Sequence, residues 1–274
     1  MKTEFPLLSK IFYSNPAVLE PGCKLFDIQE ASDAYWLDSN DVWDLRKDFG
    51  PFIPAYDSMW LESTAHYMLE GEVIKSPRTA FKIDCAKTSD PAVNRKYRSI
   101  PAGAKWLYSV MVFLEKDDRW GYEVVPGMGF LWVGGDGEYI STSYVPDVYV
   151  EESERKTVNE LIWVHAKAAF YAIALMNCRN IGVEVKQTKP RGGKKTKRVG
   201  ASKEYRVIHL PKPKTQSKTV SASTGSTKLH TARGHFKTYT AEAPLMGKAV
   251  GTYYWGWQVR GRKENGEIIS SYKV

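Results

Sequence analysis

The sequence predicts an α+β fold: an N-terminal mixed α+β domain with one long helix packed on a sheet, then a small C-terminal antiparallel β module. Three observations carry this. Short apolar runs bounded by Gly, Pro and Asp recur between residues 58 and 144, as strands require. One stretch, 153–177, repeats its apolar residues at helical spacing. After residue 187 the composition turns basic and rich in Gly, Ser and Lys before a last block of strand-forming aromatics. The expected organisation is an α+β domain over 1–187, a basic flexible linker with one strand over 188–227, and a β-rich basic and aromatic module over 228–274.

Residues 4–19 have the pattern of a short amphipathic helix that stops at Asn15-Pro16. Residues 26–45 mix Asp with Tyr35, Trp36 and Trp43 and specify no single element. Ser58–Glu62 and Thr79–Ala86 are expected strands. Lys105–Lys116 is the longest apolar run and predicts a central strand buried on both faces. Gly129–Val133 and Glu138–Tyr144 flank Gly134-Gly135-Asp136-Gly137, a hairpin turn. Gly127-x-Gly129 lacks a following helix, so it is no phosphate loop. In the helix, Leu161, Val164, His165, Ala168, Ala172, Leu175 and Met176 fall on one apolar face. Ser153 supplies a start, and His165 is expected as a packed side chain. Asn180–Gln187 and Glu204–Leu210 are strands on either side of the basic run 188–203, and 211–227 is too poor in apolar residues to fold alone.

The net charge of +8 conceals an asymmetry. Residues 1–180 carry a net −7 and residues 181–274 a net +15. A dense positive field favours a polyanion, whereas an acidic surface repels one, so the halves are expected to meet different partners. Three isolated cysteines, Cys23, Cys85 and Cys178, form neither a disulfide framework nor a zinc motif and fit a reducing compartment. No apolar run reaches membrane-spanning length, so a cytoplasmic protein that does not enter the membrane is expected.

The C-terminal module concentrates the residues that carry chemistry. Thr227–Tyr239 and Val250–Arg260 are expected strands, and Lys263-Glu264-Asn265-Gly266 is a turn into a last strand, Glu267–Tyr272. Strand alternation puts Arg233, His235, Lys237 and Tyr239 on one face and His230 on the other. Binding RNA needs cations for phosphates and flat rings for bases. Arg233, Lys237 and Arg260, with Lys194, Lys195, Lys197 and Arg198 of the linker, supply the first. Tyr239, Tyr254, Trp255 and Trp257 supply the second. Metal-free RNA cleavage would need a base, an acid and a cation, which His235, Tyr239, Arg233 and Lys237 provide in type, with His230 nearby. The competing reading is a packed β module with aromatics in its core and cations in solvent. A zinc site from His209, His230 and His235 is disfavoured, because five-residue spacing on a strand splits the ligands. No cofactor is expected.

A resemblance enters at these residues. His230-x-x-Arg233-Gly234-His235-Phe236, then Tyr239 and the strand Trp255–Arg260, form one part. The helix end Ala174-Leu175-Met176-Asn177-Cys178-Arg179-Asn180 running into Gly182-Val183-Glu184-Val185 forms another, and the Pro-rich approach to Met59-Trp60-Leu61-Glu62 a third. Together they resemble a family of bacteriophage and plasmid proteins that includes a type V-A anti-CRISPR protein, which lowers the amount of the Cas12a effector. The resemblance implies an N-terminal domain that recognises a nascent or N-terminal peptide of a host target, with Trp60 and Glu62 as candidate peptide contacts. It also implies a C-terminal module that promotes loss of the mRNA under translation, by intrinsic or recruited hydrolysis. The expected function is therefore a mobile-element downregulator with RNA and a host peptide as partners. Its alternatives are a non-enzymatic nucleic-acid-binding regulator and a protein-binding inhibitor without RNA.

Overall fold

Strand pairing organises the chain from the first described residues. The computed structural model describes all residues except 1–4, 6, 9–18, 39–43, 70–71, 98, 117–120, 148, 188–203, 212–227, 233, 257, 261 and 268–274. The helix expected over 4–19 lies almost wholly outside the described residues, with Leu7 and Leu8 its only helical positions here. β1 (Lys24–Asp27) leads into α1 (Gln29–Asp38), and β2 (Ser58–Leu69) pairs antiparallel with β3 (Glu72–Lys87). Then come α2 (Pro91–Lys96), β4 (Trp106–Glu115), β5 (Tyr122–Val124), β6 (Met128–Val133), β7 (Tyr139–Val145) and the long helix α3 (Arg155–Met176). β8 (Gly182–Gln187) and β9 (Glu204–His209) complete a nine-stranded sheet of order β7-β6-β4-β3-β2-β1-β9-β8, with β5 added to β4. β1 runs parallel to both β2 and β9, and the other pairs are antiparallel.

The fold class is α+β, with a long helix on a mixed sheet and a small separate antiparallel sheet. The strand expected within the linker, β9, is an inner strand between β1 and β8.

Local chemistry sets the helices. Asp27 accepts the Gln29 N–H at 3.0 Å and opens α1. The Gln29 amide then donates to the Thr64 carbonyl at 2.6 Å and accepts from the Thr64 N–H at 2.9 Å, tying α1 to β2. Asp90 caps α2 through the Ala92 N–H at 2.7 Å, with Pro91 at the first helical position. α3 starts one residue later than expected. Glu154, not Ser153, holds its N-cap, without a side-chain cap bond.

The buried face of α3 is also rotated from the expected one. Leu161 and Val164 are exposed, whereas Ile162 and Ala166 face the core and every residue from Ala168 to Leu175 is buried. A helix buried all round needs cover on more than the sheet side. α1 and residues of the C-terminal segment supply that cover: Tyr35, Phe236 and Tyr254 all contact Tyr171. The opposite sheet face carries two smaller clusters. One, including Leu25, Trp60 and Phe113, lies under Phe5, Leu7 and Leu8, and the other, including Leu107, Phe130 and Trp132, lies under Val93 of α2.

The stretch expected as one strand over 227–239 is two. β10 (Lys228–Ala232) belongs to a three-stranded sheet with β13 (Gln258–Arg260) and β14 (Arg262–Glu267), and β11 (His235–Tyr239) pairs with β12 (Gly251–Trp255). The break falls at Gly234, which is buried. The expected 250–260 strand divides likewise, because each half has a different partner. β10 pairs in parallel with Arg262 and Glu267, and residues 263–266, expected as a turn, lie within strand β14; of the expected last strand over 267–272 only Glu267 is among the described residues. Among the described residues no helix is long and apolar enough to cross a membrane, and Cys23, Cys85 and Cys178 are free thiols.

Candidate nucleic-acid interface

The β11–β12 hairpin presents two unlike faces, because alternate residues of a strand point to opposite sides. Its register pairs His235 with Trp255, Phe236 with Tyr254, Lys237 with Tyr253, Thr238 with Thr252 and Tyr239 with Gly251. Gly251 has φ of 123°, a backbone region that suits glycine.

The inner face is core. Tyr254 is 2 % exposed, and its hydroxyl accepts a hydrogen bond from the Tyr171 hydroxyl at 3.0 Å. Phe236 stacks on Phe49 with ring centroids 6.5 Å apart and meets the Tyr171 ring edge-on at 5.3 Å. Close packing leaves no room at Gly50, where an added Cβ would come within 2.8 Å of the Phe236 ring. Backbone bonds fix the hairpin further. The Arg179 N–H donates to the Thr252 carbonyl at 2.8 Å. The Asn180 amide donates to the Tyr254 carbonyl at 2.6 Å and accepts from the Tyr254 N–H at 2.9 Å. Asn180 thus substitutes for a neighbouring strand, and the turn after α3 locks the hairpin to the domain.

The outer face carries His235, Lys237, Tyr239, Tyr253 and Trp255. His235 and Lys237 are exposed, while Tyr239, Tyr253 and Trp255 are half-buried. The Lys237 ammonium sits 5.0 Å from the centroid of the Tyr239 ring, and Tyr239 meets Tyr253 edge-on at 5.8 Å. The Trp255 indole N–H is buried without a hydrogen-bond partner. Such a face offers a positive charge, flat rings and an imidazole within one hairpin.

Of the sequence-predicted cleavage set, the structure brings His235, Lys237 and Tyr239 together on one face. Arg233 lies outside the described residues, as do Trp257, Lys194, Lys195, Lys197 and Arg198. His230 belongs to a different sheet, on β10 opposite Arg260 of β13. Tyr254, expected as a stacking ring, is a core residue, because hairpin register puts it behind Phe236 and against α3. Sequence reading missed Asn180, Tyr171 and Tyr253. An Asn in the turn that follows the helix was the available signal for the first, and alternation with Trp255 for Tyr253; nothing local marked Tyr171.

The peptide candidates are also interior. Trp60 is 0 % and Glu62 1 % exposed. The Glu62 carboxylate accepts the backbone N–H groups of Leu7 and Leu8 at 3.0 and 3.1 Å and the Trp60 indole N–H at 3.2 Å, with Arg78 at 3.5 Å. Burial raises its pKa from the ordinary carboxylate value, against the pull of the Leu7 N–H and Arg78. Glu62 therefore anchors the chain's own N-terminal segment.

His209, a member of the disfavoured zinc set, lies on β9 of the large sheet. Its Nδ1 meets Glu30 and its Nε2 meets Glu184, both at 2.9 Å, and Glu30 also accepts the Leu210 N–H. Both ring nitrogens are occupied, and the two carboxylates raise its pKa. Among the described residues no cluster of three or more His, Cys, Asp or Glu side chains is arranged to hold a metal. His165 packs edge-on to Trp36 at 6.5 Å, and burial lowers its pKa. One apolar cleft of about 510 Å³ lies where β6, β7 and α3 meet, lined by Val125, Met128, Val145, Tyr149 and Val158 among others. No candidate site residue lines it.

Comparison with protein-family models, curated proteins and solved structures gives no match to this chain.

Proposed function

We propose that the chain is an RNA-binding downregulator of a host target, in which the outer face of the β11–β12 hairpin contacts single-stranded RNA. One observation carries the RNA half: an exposed ammonium held over a tyrosine ring, with a second tyrosine, a tryptophan and an imidazole beside it, on a hairpin whose other face is locked in the core. Rings held rigidly can stack on unpaired bases, and a nearby cation meets the phosphates. The net +15 of residues 181–274 supplies the surrounding field.

Target recognition is assigned to the acidic N-terminal domain, through residues other than Trp60 and Glu62, which the chain's own Leu7 and Leu8 occupy. This half, and the link to mRNA loss, rest on the family resemblance. A hydrolytic version would use His235 as the proton-transfer group, with Lys237 beside it and Tyr239 as a ring or hydroxyl partner.

The test is binding of a labelled single-stranded RNA by the full chain across a salt series, with the same samples run on a denaturing gel. Binding that weakens steeply with salt is the expected result, because phosphate contacts release counterions. RNA cut by the wild type and left whole by His235→Ala, which still binds, would assign the cleavage. No binding to RNA at low salt would overturn the reading. A chain cut after Gln187 is a poor control, since it removes β9 from the sheet interior and the hairpin from the core.

A further inference from the structure

We infer that the cleft where β6, β7 and α3 meet binds a small apolar molecule carrying one positive charge, an arylalkyl amine in chemical class. Its volume, about 510 Å³, is in the range of small-molecule sites. Met111, Val125, Met128 and Val158 give it an apolar lining, joined by the exposed Val145 and Tyr149.

Local structure holds the cleft in shape. Met128 pairs with Val145 where β6 meets the end of β7. The Tyr144 hydroxyl donates to the Pro126 carbonyl at 2.8 Å and clasps the Pro126-Gly127 turn to β7. Gly127 has φ of 110°, and a Cβ there would come within 2.7 Å of the Val145 carbonyl oxygen. On the other side the Val150 N–H donates to the Asp147 carbonyl at 3.0 Å, in a turn that leads toward α3. The walls therefore stand without a ligand, as preformed sites do.

Charge selects the ligand. Asp147 and Glu154 line the cleft, and no Lys, Arg or His does. Among the described residues neither carboxylate joins an ion pair. Asp147 Oδ1 receives the Tyr149 N–H at a long 3.4 Å, and Glu154 sits at the N-cap of α3 without using its side chain there. The nearest basic residues in sequence are Arg155, which acts on the Tyr144 hydroxyl, and Lys156, which reaches Glu160. A carboxylate beside apolar surface favours a cation and rejects an anion. Tyr149 is 90 % exposed and offers its ring to the same ammonium. Apolar lining, unpaired carboxylates and an exposed ring are together complementary to an apolar body that ends in an ammonium. The inference is independent of the RNA reading.

The experiment titrates the full chain with tryptamine, a cation, and with its neutral and anionic counterparts of similar size, tryptophol and indoleacetate. Binding is read from the amide NMR signals of Gly127, Tyr149 and Val150. Tryptamine is expected to shift them with a dissociation constant on the order of a millimolar or below. Tryptophol should bind about fivefold more weakly or worse, and indoleacetate more weakly again. Asp147→Asn/Glu154→Gln should bring tryptamine down to the tryptophol affinity and leave tryptophol unchanged. Tyr149→Ala should weaken tryptamine about threefold. A wild-type unfolding midpoint establishes that each variant is folded. Silence of these signals at millimolar tryptamine overturns the inference. So does tryptophol binding as tightly as tryptamine, a folded double variant that keeps the preference, or a folded Tyr149→Ala that binds undiminished. Signals that move with protein concentration alone would place a second copy over the cleft. A short apolar peptide containing lysine that binds where tryptamine does not would make the cleft a peptide site. Either of these results also overturns the inference.

Discussion

The two faces of one hairpin behave as different kinds of surface. On β11 and β12, Phe236 and Tyr254 enter the core against Tyr171 and Phe49, while His235, Lys237, Tyr239, Tyr253 and Trp255 face outward on the alternate positions. The same residue class, aromatic, serves opposite ends on the two sides. Inward rings are fixed by close packing and by the Tyr171–Tyr254 hydroxyl bond. Outward rings keep partial exposure and carry a cation 5.0 Å away. The difference teaches that the proposed RNA surface is the reverse side of a part of the hydrophobic core, so a substitution's effect depends on its parity along the strand.

That contrast can be broken most strongly from within. Tyr254→Ala should destabilise the fold by about 3–5 kcal/mol, measured by chemical denaturation, because it empties a packed core position. Gly50→Ala should cost about 1–3 kcal/mol by pushing a methyl into Phe236. Tyr254→Phe sharpens the point. It keeps the ring and loses the hydroxyl bond, for about 1 kcal/mol. On the outer face Tyr239→Ala should weaken RNA binding by about 1–3 kcal/mol per lost stack while altering stability by only about 1 kcal/mol. Lys237→Ala should lower affinity for all sequences alike and reduce the salt slope by about one. The smallest effect is a pH dependence at His209. Glu30 and Glu184 raise its pKa above the ordinary 6.5, so the stability it adds is complete below that value and is lost as pH rises through the folded pKa. Solvent screens both contacts, so the change is small. His209→Gln should flatten stability against pH between 6.5 and the higher folded value, read by thermal unfolding in a buffer series.

Periodicity made much of this legible. The helix 155–176, the run 106–115 and the hairpin around Gly134–Gly137 announce themselves in the sequence, since local pattern decides them. β1 and α1 did not, because the short strand takes its place from parallel neighbours β2 and β9 rather than from its own pattern. Alternation correctly grouped His235, Lys237 and Tyr239. It left the identity of the buried side undecided, and Tyr254 was assigned to bases when α3 claims it. Trp60 and Glu62 looked like a surface pair because Glu seldom goes inside. Their burial depends on Leu7 and Leu8, more than fifty positions away, whose N–H groups satisfy the carboxylate.

The most direct test is the affinity of single-stranded RNA for a Lys237→Ala/Tyr239→Ala double variant with a wild-type unfolding midpoint. If the outer face is the RNA surface, affinity falls by about tenfold or more, the equivalent of about 1.4 kcal/mol or above. A folded double variant that binds RNA as tightly as the wild type, with the same salt slope, would contradict the account.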